Sequence, residues 1–344
     1  MVDVTPKENW LRAVRGEMPV HIPQYYLGWK KPLGWDELRG INCSAVKDGS
    51  RGPMGGVDAW GVTYVANEET GYAALPEPNN FILEDIDDWE KVVHAPAPPE
   101  VDDWEALAKK DYEASGINRD ESAVCISTGF SPFMSLVGFM GFNEGLCAII
   151  ESPDSVRDML NYMADYYVPL VEKYVEYYKP DILSMGDDIC SKYNPFFSHD
   201  ALEEVFLPIY RRLAKPATDR GIPIHWHICG RCEDYYQDLY DLGVRSTDPA
   251  QESNDLNNVK KAFERKLLLC GGFDWVPPDN WPNVTEGEIK EMVRYHIDKY
   301  AANGGFAWAG NALGRYGDET IAKVNVWIDE EVYEYGRFYY DKHC

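Results

Sequence analysis

From residue 123 onward two hydrophobic rhythms take turns along the chain. Short apolar runs closed by glycine or by acidic residues read as buried strands. Between them lie stretches whose apolar residues recur every third or fourth position, as one face of a helix does. Ala123 to Thr128 is the first such run, ending at the Gly129 turn; Asp181 to Gly186, Ile222 to Cys229, Val244 to Asp248, Lys266 to Gly271 and Gly305 to Gly310 follow. Helices are predicted over Ser152 to Tyr178, where Ser152-Pro153 supplies the cap, and over Asp200 to Arg220, Cys232 to Leu242 and Asp255 to Phe263. Thr285-Glu286-Gly287-Glu288 is a capping box for a helix ending at Asn303-Gly304, and the tail from Ile321 reads as helical.

The preceding residues are less regular. Thr5-Pro6-Lys7-Glu8 caps a short helix, Pro6 to Arg15, and Pro19 to Tyr26 is a candidate first strand. The stretch 28–56 is irregular and rich in Gly and Lys, whereas Val57 to Ala66, with alternating Trp60, Val62 and Tyr64, predicts a second strand. Pro76, Pro78, Pro96, Pro98 and Pro99 mark a surface excursion, because the elements before them are too few for a separate core. Strand starts at Val20, Val57, Ala123, Asp181, Ile222, Val244, Lys266 and Gly305 give eight strand–helix units. The fold class expected is therefore α/β, a single-domain (β/α)8 TIM barrel over residues 1–344 with an N-terminal helical extension.

Composition narrows the function classes. Asp and Glu outnumber Lys and Arg 58 to 33, a net charge of −25, which repels phosphate backbones and anionic lipid. Nucleic-acid and membrane roles are not expected. The apolar stretch Ala123 to Ile150 is broken by Gly129, Pro132, Asn143 and Glu144, and so reads as a strand and helix instead of a membrane span. Eight cysteines scattered without a small-domain framework point to a reducing cytoplasm. With 23 Tyr, 11 Trp and 12 Phe the chain can furnish an aromatic-lined pocket or a large aromatic core, and both readings stand.

Barrel enzymes gather their chemistry at the C-terminal ends of the strands. Here those ends read Gly186-Asp187-Asp188, His227-Ile228-Cys229-Gly230, Pro249-Ala250-Gln251-Glu252-Ser253, Cys270-Gly271-Gly272-Phe273-Asp274-Trp275 and Trp308-Ala309-Gly310-Asn311. Alternation puts His225, His227 and Cys229 on one strand face, and an imidazole beside a thiolate suits Zn²⁺. A core strand with hydrogen-bonded histidines and an inert thiol is the competing reading. His225 lies deeper than His227 and is expected to be hydrogen-bonded instead of ligating. Cys232, of the Cys229-Gly230-Arg231-Cys232 motif, reads as a packing thiol, and His296 as a core or interface histidine of the outer ring.

The order Gly186-Asp187-Asp188, His227-x-Cys229-Gly230 and Gly271-Gly272-x-Asp274, with the opening Thr5-Pro6-Lys7-Glu8-Asn9-Trp10-Leu11-Arg12-Ala13, resembles the uroporphyrinogen decarboxylase superfamily over nearly the whole chain. The resemblance implies the same barrel. Its His-x-Cys is similar to that of the zinc-dependent corrinoid and coenzyme M methyltransferases, and most of all to the corrinoid-dependent O-demethylase methyltransferases. The arginine loop of the decarboxylases is replaced by Gln24-Tyr25-Tyr26-Leu27-Gly28-Trp29-Lys30-Lys31, which counts against porphyrinogen decarboxylation. Carried over, the pattern makes His227 and Cys229 metal ligands and sets Glu252 near an exchangeable glutamate ligand. Where the family has a last cysteine this chain reads Ala309-Gly310-Asn311-Ala312, and Cys270 is the geometric substitute. Coenzyme M-type transfer or another methyl donor on the same scaffold, or a porphyrinogen-type decarboxylase, is the alternative.

The expected activity is transfer of a methyl group from a methoxylated aromatic to the cobalt of a corrinoid on a partner protein, with Zn²⁺ as cofactor. Asp187 and Asp188 are the candidate catalytic acids. Tyr25, Tyr26, Phe130, Phe133, Phe273, Trp275 and Trp308 are expected to hold the ring.

Overall fold

The computed structural model describes residues 4–25, 37–46, 54–68, 70, 73–315 and 317–343. Seven parallel strands form one sheet in chain order: Leu38–Ile41, Ala123–Ser127, Ile182–Gly186, Ile224–His227, Val244–Ala250, Leu268–Gly271 and Phe306–Trp308. Beyond the last of them lies the N-terminal segment, where Gln24 bridges Trp308 in parallel. Tyr25 N–H donates to Trp308 O at 2.8 Å, and Trp308 N–H donates to Pro23 O at 2.8 Å. The first strand expected from the pattern is thus a single bridge among the described residues, since Pro19 and Pro23 have no N–H to give. Strands joined by helices and paired only with their chain neighbours make the TIM-barrel architecture of a (β/α)8 fold.

One strand assignment is corrected. Val57 to Ala66 is not in the barrel; it contributes to a small antiparallel sheet of Gly55–Val57, Thr63–Val65 and Leu75–Pro76. The second barrel strand is Leu38–Ile41, inside the stretch that read as irregular, pairing Leu38 with Ala123 through Ile41 with Ile126. Arg39 and Gly40 break its apolar run, so register with the neighbouring strand defines it, not periodicity. The alternation of Trp60, Val62 and Tyr64 is nonetheless a burial pattern, for all three are buried. Their sheet lies against other parts of the protein: Trp60 Nε1 donates to Tyr167 Oη at 2.8 Å, and a side chain at Gly138 would meet Tyr64 and Val62.

The helices sit where the spacing puts them. Pro153–Lys173 continues through a π turn to Tyr178, and Glu286–Tyr300 carries both halves of the Thr285/Glu288 capping box. The apolar stretch after residue 123 resolves into a strand and two helices, Pro132–Met140 and Phe142–Glu151, bent by 113°. Among the described residues no single helix is long and apolar enough to cross a membrane.

Burial separates the two ends of the barrel. Trp10, Ala13 and Val14 of the helix Pro6–Val14 cluster with Leu38, Ala123, Ile182 and Leu268, which begin four strands. The N-terminal extension therefore plugs the end where strands start. Tyr25, Cys125, Cys270 and Ala307 form the apolar packing above it. The end where strands finish carries the polar residues.

Candidate metal centre

The site is built on the Ile224–His227 strand, whose alternation sends His225 and His227 to the barrel interior, as expected. Asp248 ends up facing both. His225 Nε2 lies 2.6 Å from Asp248 Oδ1, and His227 Nδ1 lies 3.0 Å from Asp248 Oδ2. Burial opposes charge on Asp248, but the hydrogen bonds from the two histidines outweigh it and hold the carboxyl well below the usual carboxylate range. An ionised carboxylate only accepts, so Nδ1 of His227 carries a proton and Nε2 points away from Asp248.

Nε2 of His227 faces the two other donors. It is 3.7 Å from Cys229 Sγ and 3.9 Å from Asp188 Oδ1. Asp188 is held in turn, because Cys229 N–H donates to its Oδ1 at 2.8 Å. Ligand atoms of Asp188, His227 and Cys229 all lie within 4.8 Å of one another. Burial raises the Cys229 thiol, with the His227 hydrogen bond opposing. Burial also opposes charge on His227, yet the Asp248 and Cys229 hydrogen bonds prevail and lift its imidazole to about 11. One nitrogen, one sulfur and one carboxylate oxygen, with the imidazole backed by a carboxylate, is a donor set that fits Zn²⁺ and leaves room for a fourth ligand.

The surrounding loops lock this arrangement. Gly230 N–H donates to Gln251 Oε1 at 2.6 Å, and Asn254 grips the same turn, accepting from Cys232 N–H at 2.8 Å and donating to Gly230 O at 2.9 Å. Gly186 is needed for close approach: a Cβ there would sit 2.7 Å from His227 Cβ and 2.8 Å from His227 O. Gly186→Ala is accordingly expected to displace His227. It should cost about 1–3 kcal/mol of stability and weaken metal uptake, read by denaturant unfolding alongside metal analysis.

A cavity of about 860 Å³ opens over these groups, with Tyr25, His227, Cys229, Asp248, Phe273 and Trp275 among its lining. Of the seven aromatic residues expected to hold a ring, three line it: Tyr25, Phe273 and Trp275. Tyr25 stacks on His225 with ring centroids 4.4 Å apart. Tyr26 lies outside the described residues. The other three are core residues. Phe130 stacks on Tyr167 at 4.8 Å, Phe133 packs among Phe196, Phe197 and Phe206, and Trp308 is fully buried behind Phe273.

The acids and the remaining thiol divide similarly. Asp188 belongs to the donor cluster, whereas Asp187 is buried and caps the helix Pro132–Met140. Asp187 accepts from Phe133 N–H at 2.6 Å, Met134 N–H at 3.0 Å and Tyr210 Oη at 2.9 Å. Burial pushes its carboxyl up to about 7. Glu252 is turned toward the helix Glu286–Tyr300, accepting from Lys299 Nζ and Tyr300 Oη, each at 2.7 Å. Cys270 is fully buried in the barrel interior, its thiol raised well above the ordinary value by that burial. Neither joins the three clustered donors. His296 is buried edge-on to Phe273 in the outer layer, and Cys232 is fully buried.

Asp248 is the residue the sequence reading passed over. It stands where the predicted strand ends, just before Pro249, and that strand-end acid was the available signal.

Comparison with known proteins bears on the fold. A methyltransferase from Methanosarcina mazei aligns over 96% of this chain and 100% of its own, with a TM-score of 0.59 and 14% identity. A protein of Sinorhizobium meliloti 1021 aligns over 67% of this chain and 92% of its own, at 14% identity and a TM-score of 0.31. No curated protein matches the sequence. The family described as uroporphyrinogen decarboxylase (URO-D) matches residues 57–312, a span that holds two of the three strands of the small sheet, six of the seven barrel strands and the three clustered donors Asp188, His227 and Cys229. The chain belongs to the uroporphyrinogen decarboxylase family.

Proposed function

We propose that this protein is a zinc-dependent methyltransferase that moves a methyl group from a methoxylated aromatic, a phenyl methyl ether, to the cobalt of a corrinoid carried by a separate protein. The observation that carries this reading is the convergence of Asp188, His227 and Cys229 at an aromatic-walled cavity in the open end of the barrel. Zinc, when bound, supplies Lewis-acid stabilisation of the negative charge that develops on a departing aryl oxygen.

The chain's own residues do the rest. Asp248 accepts the Nδ1 proton of His227, which aims Nε2 at the donor cluster, where a bound metal would take the place of the Nε2 proton. Asp188 fixes the Cys229 backbone through its N–H. Tyr25, Phe273 and Trp275 give flat apolar walls for an aryl ring and exclude water from the reacting carbon. Among the described residues lining the cavity Lys192 is the only Lys or Arg, against Asp248, Asp274 and Asp329. That balance suits a neutral ether better than the several carboxylates of a porphyrinogen.

The test is a transfer assay with zinc-loaded protein, reduced corrinoid and a panel of methoxybenzenes, following methyl–cobalt formation by absorbance and the phenol by chromatography. Stoichiometric phenol and methyl–cobalt are expected for at least one ether. Cobalt that stays unmethylated with every donor, ethers and other methyl compounds alike, would sink the reading.

A further inference from the structure

Opposite His225 and His227, the neighbouring strand does not pair evenly. Ile224 pairs with Val244, but His225 pairs with Ser246 and His227 with Asp248, so Arg245 is skipped. Bulges of this kind re-aim side chains beside functional sites. Here Arg245 is turned away onto Tyr240, its guanidinium 4.0 Å from the ring centre. Ser246 and Asp248 are thereby brought opposite the two histidines. The result is a continuous chain: Ser246 Oγ is 2.8 Å from His225 Nδ1, His225 Nε2 is 2.6 Å from Asp248 Oδ1, and Asp248 Oδ2 is 3.0 Å from His227 Nδ1.

Proton accounting gives the chain a direction. Ser246 and His225 are both fully buried, and among the described residues the serine hydroxyl has no acceptor other than His225 Nδ1. A buried hydroxyl must place its proton somewhere, so Oγ–H donates to Nδ1. With Nδ1 accepting from the serine, His225 donates from Nε2 to Asp248 Oδ1 at 2.6 Å. With one oxygen committed and the carboxylate plane fixed, Oδ2 receives the Nδ1 proton of His227. We propose that Ser246 and His225 are positioning residues of the metal centre, acting through Asp248 to set which nitrogen of His227 is offered to the ion. Tyr25 stacks on His225 and packs one face of that ring. The proposal rests on the metal reading above but names residues that reading does not use.

The experiment compares Ser246→Ala, His225→Leu and His225→Gln with the parent chain. It reads zinc affinity by chelator competition, the visible spectrum of the Co²⁺-substituted protein and thermal stability without metal. Outer residues of metal sites are typically worth 10–100-fold in affinity, so His225→Leu is expected to lose about that much and Ser246→Ala about 3–10-fold. Glutamine retains an N–H for Asp248 and a carbonyl for Ser246, so His225→Gln should recover most of the loss and a near-parental cobalt spectrum. A purely packing role would lower stability and leave the spectrum unmoved. If His225→Leu does not fold, Ser246→Ala and His225→Gln decide the question. Parental affinity and spectrum in Ser246→Ala and in whichever His225 variants fold to lack the donor would overturn the proposal, as would His225→Gln binding as poorly as His225→Leu. A parent chain that takes up no zinc overturns the metal reading itself, and this proposal with it.

Discussion

His227→Ala and Cys229→Ala are each expected to bind zinc more than about 100-fold more weakly than the parent chain, because loss of a direct donor exceeds the 10–100-fold cost of losing an outer partner. Asp188→Ala should fall in the same class for two reasons. It removes the oxygen donor, and it removes the acceptor that holds the Cys229 backbone at 2.8 Å. The informative controls are Glu252→Gln and Cys270→Ala. Glu252 is committed to Lys299 and Tyr300, and Cys270 is sealed in the barrel interior, so both variants should keep one zinc per chain. Equilibrium dialysis with metal analysis, followed by chelator competition, reads all five. Retention of zinc by Asp188→Ala together with its loss from Glu252→Gln or Cys270→Ala would show that the ligand set is the one the family resemblance suggests, not the one the geometry assembles.

The second large effect is on stability. Asp187→Ala leaves three donors without an acceptor, two of them buried (Phe133 N–H and the Tyr210 hydroxyl) and one half-buried (Met134 N–H). Each buried donor left unsatisfied costs roughly 1–3 kcal/mol, and neighbouring losses do not add fully, so about 4 kcal/mol is expected. At roughly 2 cal/mol/K of unfolding entropy per residue, that loss lowers the melting temperature of a chain this size by about 5–6 °C. Asp187→Asn, which keeps one acceptor oxygen, should fall between the two. Calorimetry of the metal-free proteins is the measurement. An Asp187→Ala variant that melts with the parent but transfers no methyl group would return Asp187 to the catalytic role its strand-end position suggested.

What the sequence disclosed follows from where burial is complete. Strands buried on both faces are continuous apolar runs, which is why Ala123 to Ser127, Ile182 to Gly186 and Leu268 to Gly271 are legible. Leu38–Ile41 is not, since Arg39 and Gly40 interrupt a run of four residues and only pairing with Ala123–Ile126 makes it a strand. At the site, alternation was enough to align His227 with Cys229. It was not enough for Asp188 and Asp187, adjacent residues whose roles diverge because one faces the barrel mouth and the other a helix terminus. Nor does periodicity register a skipped residue: the shift past Arg245 is what aims Asp248, and a pattern read along one strand carries no record of its neighbour's offset.

The tryptophan-anchored plug at the strand starts has a bearing on how this protein can change. The plug and the candidate donors lie at opposite ends of the barrel and are joined through Tyr25, whose ring stacks on Trp10 at one side and on His225 at the other. Substitutions in the loops beyond Gly230 or Gly271 leave the plug in place, whereas Asp187, next to Gly186, caps a helix and is not exchanged without loss of stability. A mutation at Trp10 would threaten every activity the scaffold can host without favouring any.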